Sequence, residues 1–130
     1  MENSGYSVTL LREGKCSKSE EGSIIRKCNT ILLRGPAGTI LVNPGSVWDC
    51  DELLSLLHSA GIKQPQKEIT CVVCTDGRME HVGCMSLFTG ANLMIVGYDI
   101  QKNDGVFVDH DFGDGIAPYE FDEHVSSTFI

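Results

Sequence analysis

The sequence lacks a long apolar run, and this absence excludes the simplest kind of membrane protein. No stretch reaches the roughly 18 consecutive apolar residues that a helix needs to cross a bilayer. The first residues, 1–5, also lack the basic and apolar regions of a secretory signal peptide. We therefore expect a cytosolic or nuclear protein, with its six cysteines present as free thiols rather than disulfides.

Basic residues are scarce, and one part of the chain has almost none. Ten Lys and Arg face 18 Asp and Glu, which gives a formal net charge of −8. Between Asp99 and Glu123, eight acidic residues face a single base, Lys102, a local balance of −7. This segment would repel a phosphate backbone unless metal ions or a partner offset its charge. We interpret residues 99–130 as an acidic, loop-rich C-terminal part, either a solvated loop or an acidic docking surface. No Gly-Lys-Ser/Thr follows a glycine-rich turn, which excludes a phosphate loop.

The first third of the chain favours β-strands. β-branched and aromatic residues predict a strand over residues 6–11, one or two strands over 23–33, and another over 39–42. The polar residues 14–22 predict a loop. The Gly and Pro content of Gly35–Gly38 predicts a turn, so we expect a hairpin across it.

Residues 49–60 are the strongest predicted helix, because leucines recur there at helical spacing. Asp49 or Asp51 is the predicted N-cap, and Gly61 is the predicted left-handed C-terminal residue. The pattern further predicts a loop at Pro65, a buried strand over 69–74, a short helix over 81–88, a strand over 92–96, a candidate pairing segment at 106–108 and a loop over 113–118. This order is typical of an α/β fold with some parallel pairing, and the length fits one domain over residues 1–130.

The loop after strand 69–74 holds candidate metal ligands. A loop that leaves the carboxyl end of a buried strand can aim several side chains into one cleft. Asp76, Glu80 and His81 carry donors that bind divalent metals. Arg78 cannot bind a metal, because its guanidinium is permanently protonated and has no lone pair to donate. Three interpretations are open: Arg78 replaces the charge of a metal by pairing with Asp76 or Glu80, the loop side chains face solvent, or a zinc site survives.

Several stretches resemble the metallo-β-lactamase superfamily, in particular one eukaryotic branch. They include Y-S-V-T-L-L-R-E-G, T-I-L-V-N-P-G-S-V-W, V-V-C-T-D-G-R-M-E-H-V-G and A-P-Y-E-F-D-E-H-V. The superfamily carries Thr-His-x-His-x-Asp-His in this loop, so Asp76 and Arg78 occupy the positions of two ligands of a first metal. Glu80 and His81 occupy those of a second, and His81 alone is unchanged. Asn43 stands where an Asp usually supports the metal loop.

The resemblance implies both a fold and a lineage of activity. The implied fold is an αββα sandwich of two similar halves, of which this sequence supplies the first, a mixed sheet with helices on one face. The branch is described as a dimeric zinc endoribonuclease that cleaves histone pre-mRNA in cytosol and nucleus. Because the ligands are degenerate, we expect a metal-depleted, non-catalytic protein without a cofactor, with zinc present only if a site survives. The alternative is a residual hydrolase that a second subunit completes, with RNA implied by resemblance alone.

A single half of such a sandwich would expose one face of its sheet. Burial stabilises by about 25 cal/mol per Å², so a few hundred Å² left exposed would cost several kcal/mol. That is a large share of the roughly 5 to 15 kcal/mol by which domains are stable. We therefore expect a homo-oligomer, or binding to a full-length family member, and no membrane partner. A truncated isoform is the third interpretation.

The cysteines suggest two further sites, both disfavoured. Cys71 and Cys74 have the C-x-x-C spacing, but residues three apart on a strand point to opposite faces, so they cannot easily chelate one ion. Cys84 lies one helical turn beyond His81, and the two would form at most a makeshift Cys-His site. The two histidines of the acidic part are predicted to be surface residues, His110 and His124.

Overall fold

A six-stranded mixed sheet organises the part of the chain that this computed structural model describes, residues 5–102 and 105–108. The strands are β1 (Ser7–Arg12), β2 (Lys15–Lys18), β3 (Ile24–Lys27), β4 (Thr30–Gly35), β5 (Gly38–Val42), β6 (Cys71–Cys74), β7 (Leu93–Val96) and β8 (Asp99–Lys102). Their order in the sheet is β1-β4-β5-β6-β7-β8, while β2 and β3 form a separate two-stranded ribbon. The β5-β6 and β6-β7 pairs are parallel and the others are antiparallel. The expected mixed α/β sheet is confirmed.

The helices pack on one face of this sheet, as expected. They are α1 (Cys50–Ser59), α2 (Pro65–Glu68) and α3 (Met79–Val82), with short 3-10 turns at Val47–Asp49 and Met85–Phe88. Leu53 and Leu57 of α1 pack against every second residue of the strands, because successive side chains of a strand point to opposite faces of the sheet. The buried core comprises Leu32, Leu41, Leu53, Leu57, Ile62, Ile69, Val72, Cys74, Cys84, Phe88 and Ala91.

The other face, which we call the helix-free face, is also apolar. Two rows of paired residues cross all six strands: Val8, Leu33, Ile40, Cys71, Leu93 and Lys102, then Leu10, Ile31, Val42, Val73, Ile95 and Ile100. None of them belongs to the core described above. Val42 and Ile100 are buried by their neighbours, whereas the others are half-buried or exposed. Within the described residues, this face therefore has no hydrophobic layer against it.

Several predicted elements are confirmed, and the exceptions have physical reasons. The hairpin across the Gly-Pro turn is present, with Gly35 paired to Gly38. Gly61 is left-handed at φ 94° and ends α1. The pairing expected at residues 106–108 is confirmed by a bridge between Gln101 and Phe107. The predicted loop 113–118 lies outside the described residues.

Four expectations about elements need correction. Residues 14–22 are not simply a loop, because the polar β2 pairs with β3 in an exposed ribbon. The segment at Pro65 is a short helix, since a proline fits the first helical position. The helix expected over 81–88 is divided into α3 and a 3-10 turn. Strand β8 was not expected in the acidic part, and it pairs with β7 through Ile100 opposite Ile95.

The expectation of six free thiols is wrong for one pair. Cys50 and Cys84 form a disulfide, with their Cα atoms 5.6 Å apart, because the turn after α3 folds back against the start of α1. The remaining cysteines are free: Cys16, Cys28, Cys71 and Cys74. Among the described residues, no helix is long and apolar enough to cross a membrane.

Asp49 joins α1 to the first strands through ionic contacts rather than as a helix cap. It occupies the N-cap position, but its side chain makes no capping hydrogen bond, so the predicted cap is wrong. Its carboxylate instead lies 3.4 Å from Arg12 Nη1 and 3.4 Å from Lys27 Nζ, and it accepts a hydrogen bond from Ser46 Oγ. Burial opposes its ionisation, yet Ser46 and the two cations outweigh burial and lower the pKa of Asp49 below 3.8.

This depressed pKa predicts a specific acid dependence of stability. A carboxylate whose pKa is lower in the folded state stabilises fully above pH 3.8, and this contribution is lost as pH falls through the folded value. Asp49→Asn should lower the free energy of unfolding at neutral pH by about 1 kcal/mol and flatten the acid branch. Urea unfolding across pH measures both. Asp51→Asn, on the exposed start of α1, is the matched control. An unchanged acid branch in Asp49→Asn would contradict the assignment.

Candidate functional site

The candidate site lies where β6 ends and its loop turns into α3. Because β5 and β6 are parallel, their carboxyl ends lie at the same edge of the sheet. Asn43 follows β5 there and Thr75 follows β6, so both meet beneath the loop that carries Asp76 and Arg78. Gly83, just after α3, approaches the backbone of Ser46 so closely that a Cβ atom would lie 2.8 Å from its Cα. A residue larger than glycine would push α3 away from this edge.

Asn43 is a fully buried junction between three strands. Its Oδ1 accepts a hydrogen bond of 3.0 Å from the Thr75 backbone N–H, and its Nδ2 lies 3.2 Å from Thr75 Oγ1. Its backbone N–H donates to Val73 O, and its carbonyl accepts from Thr30 Oγ1. Asn43 has φ 54°, a left-handed conformation that Asn tolerates better than most residues. Its side chain therefore fixes the start of the loop.

Arg78 turns back onto Asp76. Arg78 Nε lies 2.7 Å from Asp76 Oδ2, Nη2 lies 2.6 Å from the same oxygen, and the Arg78 backbone N–H donates to Asp76 Oδ1. The Asp76 side chain is 12% exposed and the Arg78 side chain is 32% exposed. Asp76, rather than Glu80, is thus the partner of Arg78, and a fixed cation lies against the first candidate ligand.

Glu80 forms an ion pair with a residue that the sequence alone does not place at the site. Its Oε2 lies 3.5 Å from Arg26 Nε on β3, and its carbonyl oxygen accepts a hydrogen bond of 2.9 Å from the Cys28 thiol. Burial raises the pKa of Cys28 above 9.0, which keeps the thiol protonated as a donor. No sequence motif identifies Arg26 or Cys28 as site residues, because their contact with α3 depends on how the ribbon folds over the loop.

His81 is buried beside these charges, with 3% of its surface exposed. Its ring Nδ1 is buried without a hydrogen-bond partner among the described residues. Burial lowers the pKa of His81 below 6.5, and the carboxylates of Asp76 and Glu80 offset this only in part. The imidazole is therefore neutral at neutral pH.

The donors present here do not fit a zinc ion. A zinc site takes four donors, at least three of them from the protein. Within residues 5–102 and 105–108, no group of three or more His, Cys, Asp and Glu side chains converges closely enough to hold a metal. Asp76 and Glu80 each face a guanidinium instead. Cys84 is in a disulfide and is not a second donor beside His81. Two other histidines lie outside the described residues, His110 and His124.

The curated proteins that match this sequence share one name. Metallo-β-lactamase domain-containing protein 1 from Xenopus laevis is 38% identical over 117 residues, which are 89% of this chain and 47% of that protein. The protein of that name from Homo sapiens is 29% identical over 137 residues, 85% of this chain and 50% of that protein. The chain belongs to the metallo-β-lactamase superfamily.

A solved structure extends the likeness to the metallo-β-lactamase fold. A protein from Thermotoga maritima assigned to the metallo-β-lactamases superposes with a TM-score of 0.56 at 22% identity, over 67% of this chain and 41% of that one. At this identity the match shows the fold alone. No protein-family model matches the sequence. The chain spans about half the length of the curated metallo-β-lactamase relatives described above.

Proposed function

We propose that this protein is a metal-depleted, non-catalytic member of its superfamily that acts by associating with a second copy of itself. The helix-free face is the single observation that carries the proposal. Two adjacent rows across six strands cover roughly 29 Å by 13 Å, on the order of 400 Å² of sheet. The largest apolar patch on a soluble monomer measures about 300 to 600 Å² and is often functional, so this face is a candidate interaction site.

A second copy suits this face because two sheets pack well against each other. Aligned sheets stack about 10 Å apart with interdigitating apolar side chains. A two-fold axis would bring the same rows together from both chains, which requires one self-complementary surface. A full-length family member is the other partner that this face would accept, in place of a second copy. The cytosol or nucleus is the proposed compartment.

The loss of catalysis is supported by the pairing of Arg78 with Asp76. A permanent positive charge within 2.7 Å of this carboxylate repels a divalent ion from it and competes for its oxygens. Glu80 is opposed in the same way by Arg26 at 3.5 Å. Two of the four loop positions that align with metal ligands thus hold carboxylates engaged by guanidinium groups, and a third is Arg78 itself.

The second candidate function is a residual metal-dependent hydrolase that another subunit completes. Its supporting observation is the Nδ1 atom of His81, buried and without a partner among the described residues. A metal held there by donors from another chain would satisfy that nitrogen. The endoribonuclease lineage implied by resemblance supplies RNA as the substrate class for this candidate.

Zinc binding separates the two candidates. Isothermal titration of purified protein with zinc is expected to show no tight stoichiometric binding, because two guanidinium groups already engage the loop carboxylates. The heat should not change in His81→Ala. His58→Ala, which removes an exposed histidine of α1, is the matched control. Tight binding of one zinc per chain that His81→Ala abolishes and His58→Ala preserves would favour the residual hydrolase and end the proposal of metal depletion.

A further inference from the structure

One covalent bond joins α3 to the start of α1. Cys50 is the first residue of α1, and Cys84 follows α3 after a single residue, Gly83. Their disulfide links positions with a sequence separation of 34 residues. Because α3 carries Glu80 and His81, the bond anchors the end of the element that positions both candidate ligands. The state of this one bond therefore acts directly on the geometry of the loop after β6.

Non-covalent contacts also hold the end of α3 against the turn before α1. The Cys84 backbone N–H donates a hydrogen bond of 3.1 Å to Gly45 O. Gly83 packs on the backbone of Ser46. The helix itself is four residues long, and Met79 at its start is 60% exposed. A helix this short has little stability of its own in water, so its position depends on tertiary contacts and on the disulfide.

The two sulfurs of the disulfide differ in their access to solvent. Cys84 is fully buried, whereas Cys50 is half-buried at the start of α1. A small thiolate that attacks the bond from solvent therefore reaches Cys50 first. Redox-sensing cysteines commonly have this arrangement, in which an accessible cysteine lies beside a second cysteine that resolves it. Structural cysteines that are buried away from solvent are instead inert.

Both sulfurs also have hydrogen-bond acceptors for the reduced state. Cys84 Sγ lies 3.0 Å from Ser46 O, and Cys50 Sγ lies 3.4 Å from Val47 O. After reduction, each thiol can donate its proton to the carbonyl beside it, so neither donor is left unsatisfied. The fold thus accommodates both oxidation states, and reduction removes the covalent anchor without disrupting the core.

We propose that Cys50 and Cys84 form a reversible thiol–disulfide switch that sets how firmly α3 is held at the candidate site. The thiolate of a low-molecular-weight thiol attacks Cys50 Sγ, the S–S bond breaks, and Cys84 leaves as a thiolate that takes a proton from water. A second thiolate attacks the sulfur of the small molecule bound to Cys50. This step releases Cys50, which is protonated in turn, and the small molecule leaves as its own disulfide. Two thiols are thereby oxidised as the protein disulfide is reduced.

The compartment gives this switch its role. Disulfides of cytosolic proteins are usually transient, with catalytic or redox-sensing roles, because cellular thiols keep cysteines reduced. The regulatory role therefore rests on the cytosol or nucleus proposed above. The chemistry of the bond does not, because it depends only on the access to Cys50 and on the contacts around Cys84.

Reduction should loosen α3 and the contacts made beneath it. The Cys28 thiol donates to Glu80 O at 2.9 Å, and the Cys74 thiol donates to His81 O at 3.5 Å. Both acceptors belong to the backbone of α3, so both contacts weaken when the helix moves. The reduced protein would therefore hold Glu80 and His81 less firmly than the oxidised protein does.

The test is a redox titration of the folded full chain with mixtures of reduced and oxidised glutathione, followed by alkylation and mass spectrometry. We expect millimolar reduced glutathione to open the bond and oxidised glutathione to form it again. Amide hydrogen exchange over residues 79–84 should be at least about tenfold faster in the reduced state, whereas exchange over residues 53–57 should not change. Since the closed loop is long, reduction should also lower the melting temperature by roughly 10 °C.

Two serine variants complete the test. Cys50→Ser is permanently open, so its residues 79–84 should exchange at the fast rate in both glutathione mixtures. Cys16→Ser removes an exposed free cysteine of β2 and is the matched control. It should keep the full redox response of the wild-type chain.

Three results would overturn the proposal. If Cys50 and Cys84 stayed reduced in oxidised glutathione, no switch would form. If the bond opened only after the chain had unfolded, the disulfide would be purely structural. Equal exchange over residues 79–84 in both states would show that the bond does not hold α3. None of these results depends on the compartment, which fractionation of cells tests separately.

Discussion

In sedimentation velocity at micromolar concentration, the wild-type chain is expected to sediment as a dimer and Leu93→Glu as a monomer. Leu93 lies half-buried on the helix-free face, with Lys102 directly opposite on β8. A glutamate there would pair with Lys102 across the strands of the monomer. In the dimer the same carboxylate would lose its water, which costs several kcal/mol. Since each 1.4 kcal/mol is a factor of ten, the dissociation constant should rise at least about a hundredfold.

Leu54→Glu is the matched control for this change. Leu54 is also half-buried but lies on α1, across the core from the helix-free face. The control makes the same chemical replacement and should remain dimeric. A wild-type protein that sediments as a sharp monomer would reject self-association. A dimer that Leu54→Glu breaks and Leu93→Glu preserves would place the interface on the helices instead.

Local sequence patterns predicted the elements that bury apolar residues. Leucine spacing located α1, because Leu53 and Leu57 are both fully buried against the sheet. β-branched residues and the intervening Gly-Pro turn located β4 and β5, whose paired residues divide between the core and the helix-free face. The C-x-x-C spacing was also interpreted correctly, since Cys71 is half-buried on one face of β6 while Cys74 is buried on the other. In α1 and β6, hydrophobic periodicity predicts burial correctly because buried positions recur with the same period as the side chains of a helix or a strand.

The ribbon and its contacts were not predictable by the same means. Strand β2 is exposed at every position, so no apolar alternation marks it as a strand. The contacts from Arg26 to Glu80, and from Cys28 to the Glu80 carbonyl, join segments far apart in the chain. The Cys50 to Cys84 pairing likewise depends on how α3 returns to α1. Chain topology decides these contacts, and residue type alone does not.

The candidate site is only partly predictable from the sequence. The loop residues Asp76, Glu80 and His81 were identified because they follow one buried strand without interruption. The pairing of Arg78 with Asp76 is among the interpretations that the sequence leaves open. The partner of Glu80 is not identifiable in this way, since its guanidinium reaches Glu80 from the ribbon. This difference matters for function, because the partners decide whether the carboxylates are available to a metal ion.

Asn43→Ala is expected to lower the free energy of unfolding by about 3 kcal/mol. The change leaves the buried Thr75 backbone N–H without its acceptor, which costs about 1 to 3 kcal/mol. It also places alanine at φ 54°, which costs a further 1 kcal/mol or so. For a chain of this size, the melting temperature should fall by roughly 10 °C. Urea unfolding and thermal melting followed by circular dichroism measure both quantities.

Asn43→Gly separates the two causes. Glycine adopts a positive φ without a steric cost, yet it also lacks the amide that holds Thr75. We expect Asn43→Gly to be about 1 kcal/mol more stable than Asn43→Ala and still well below wild type. Asn92→Ala, which removes an exposed asparagine before β7, should change stability by less than about 0.5 kcal/mol. If Asn43→Ala were as mild as Asn92→Ala, the loop after β6 would not depend on the junction at Asn43, and Arg78 and Asp76 would hold it through their own pairing.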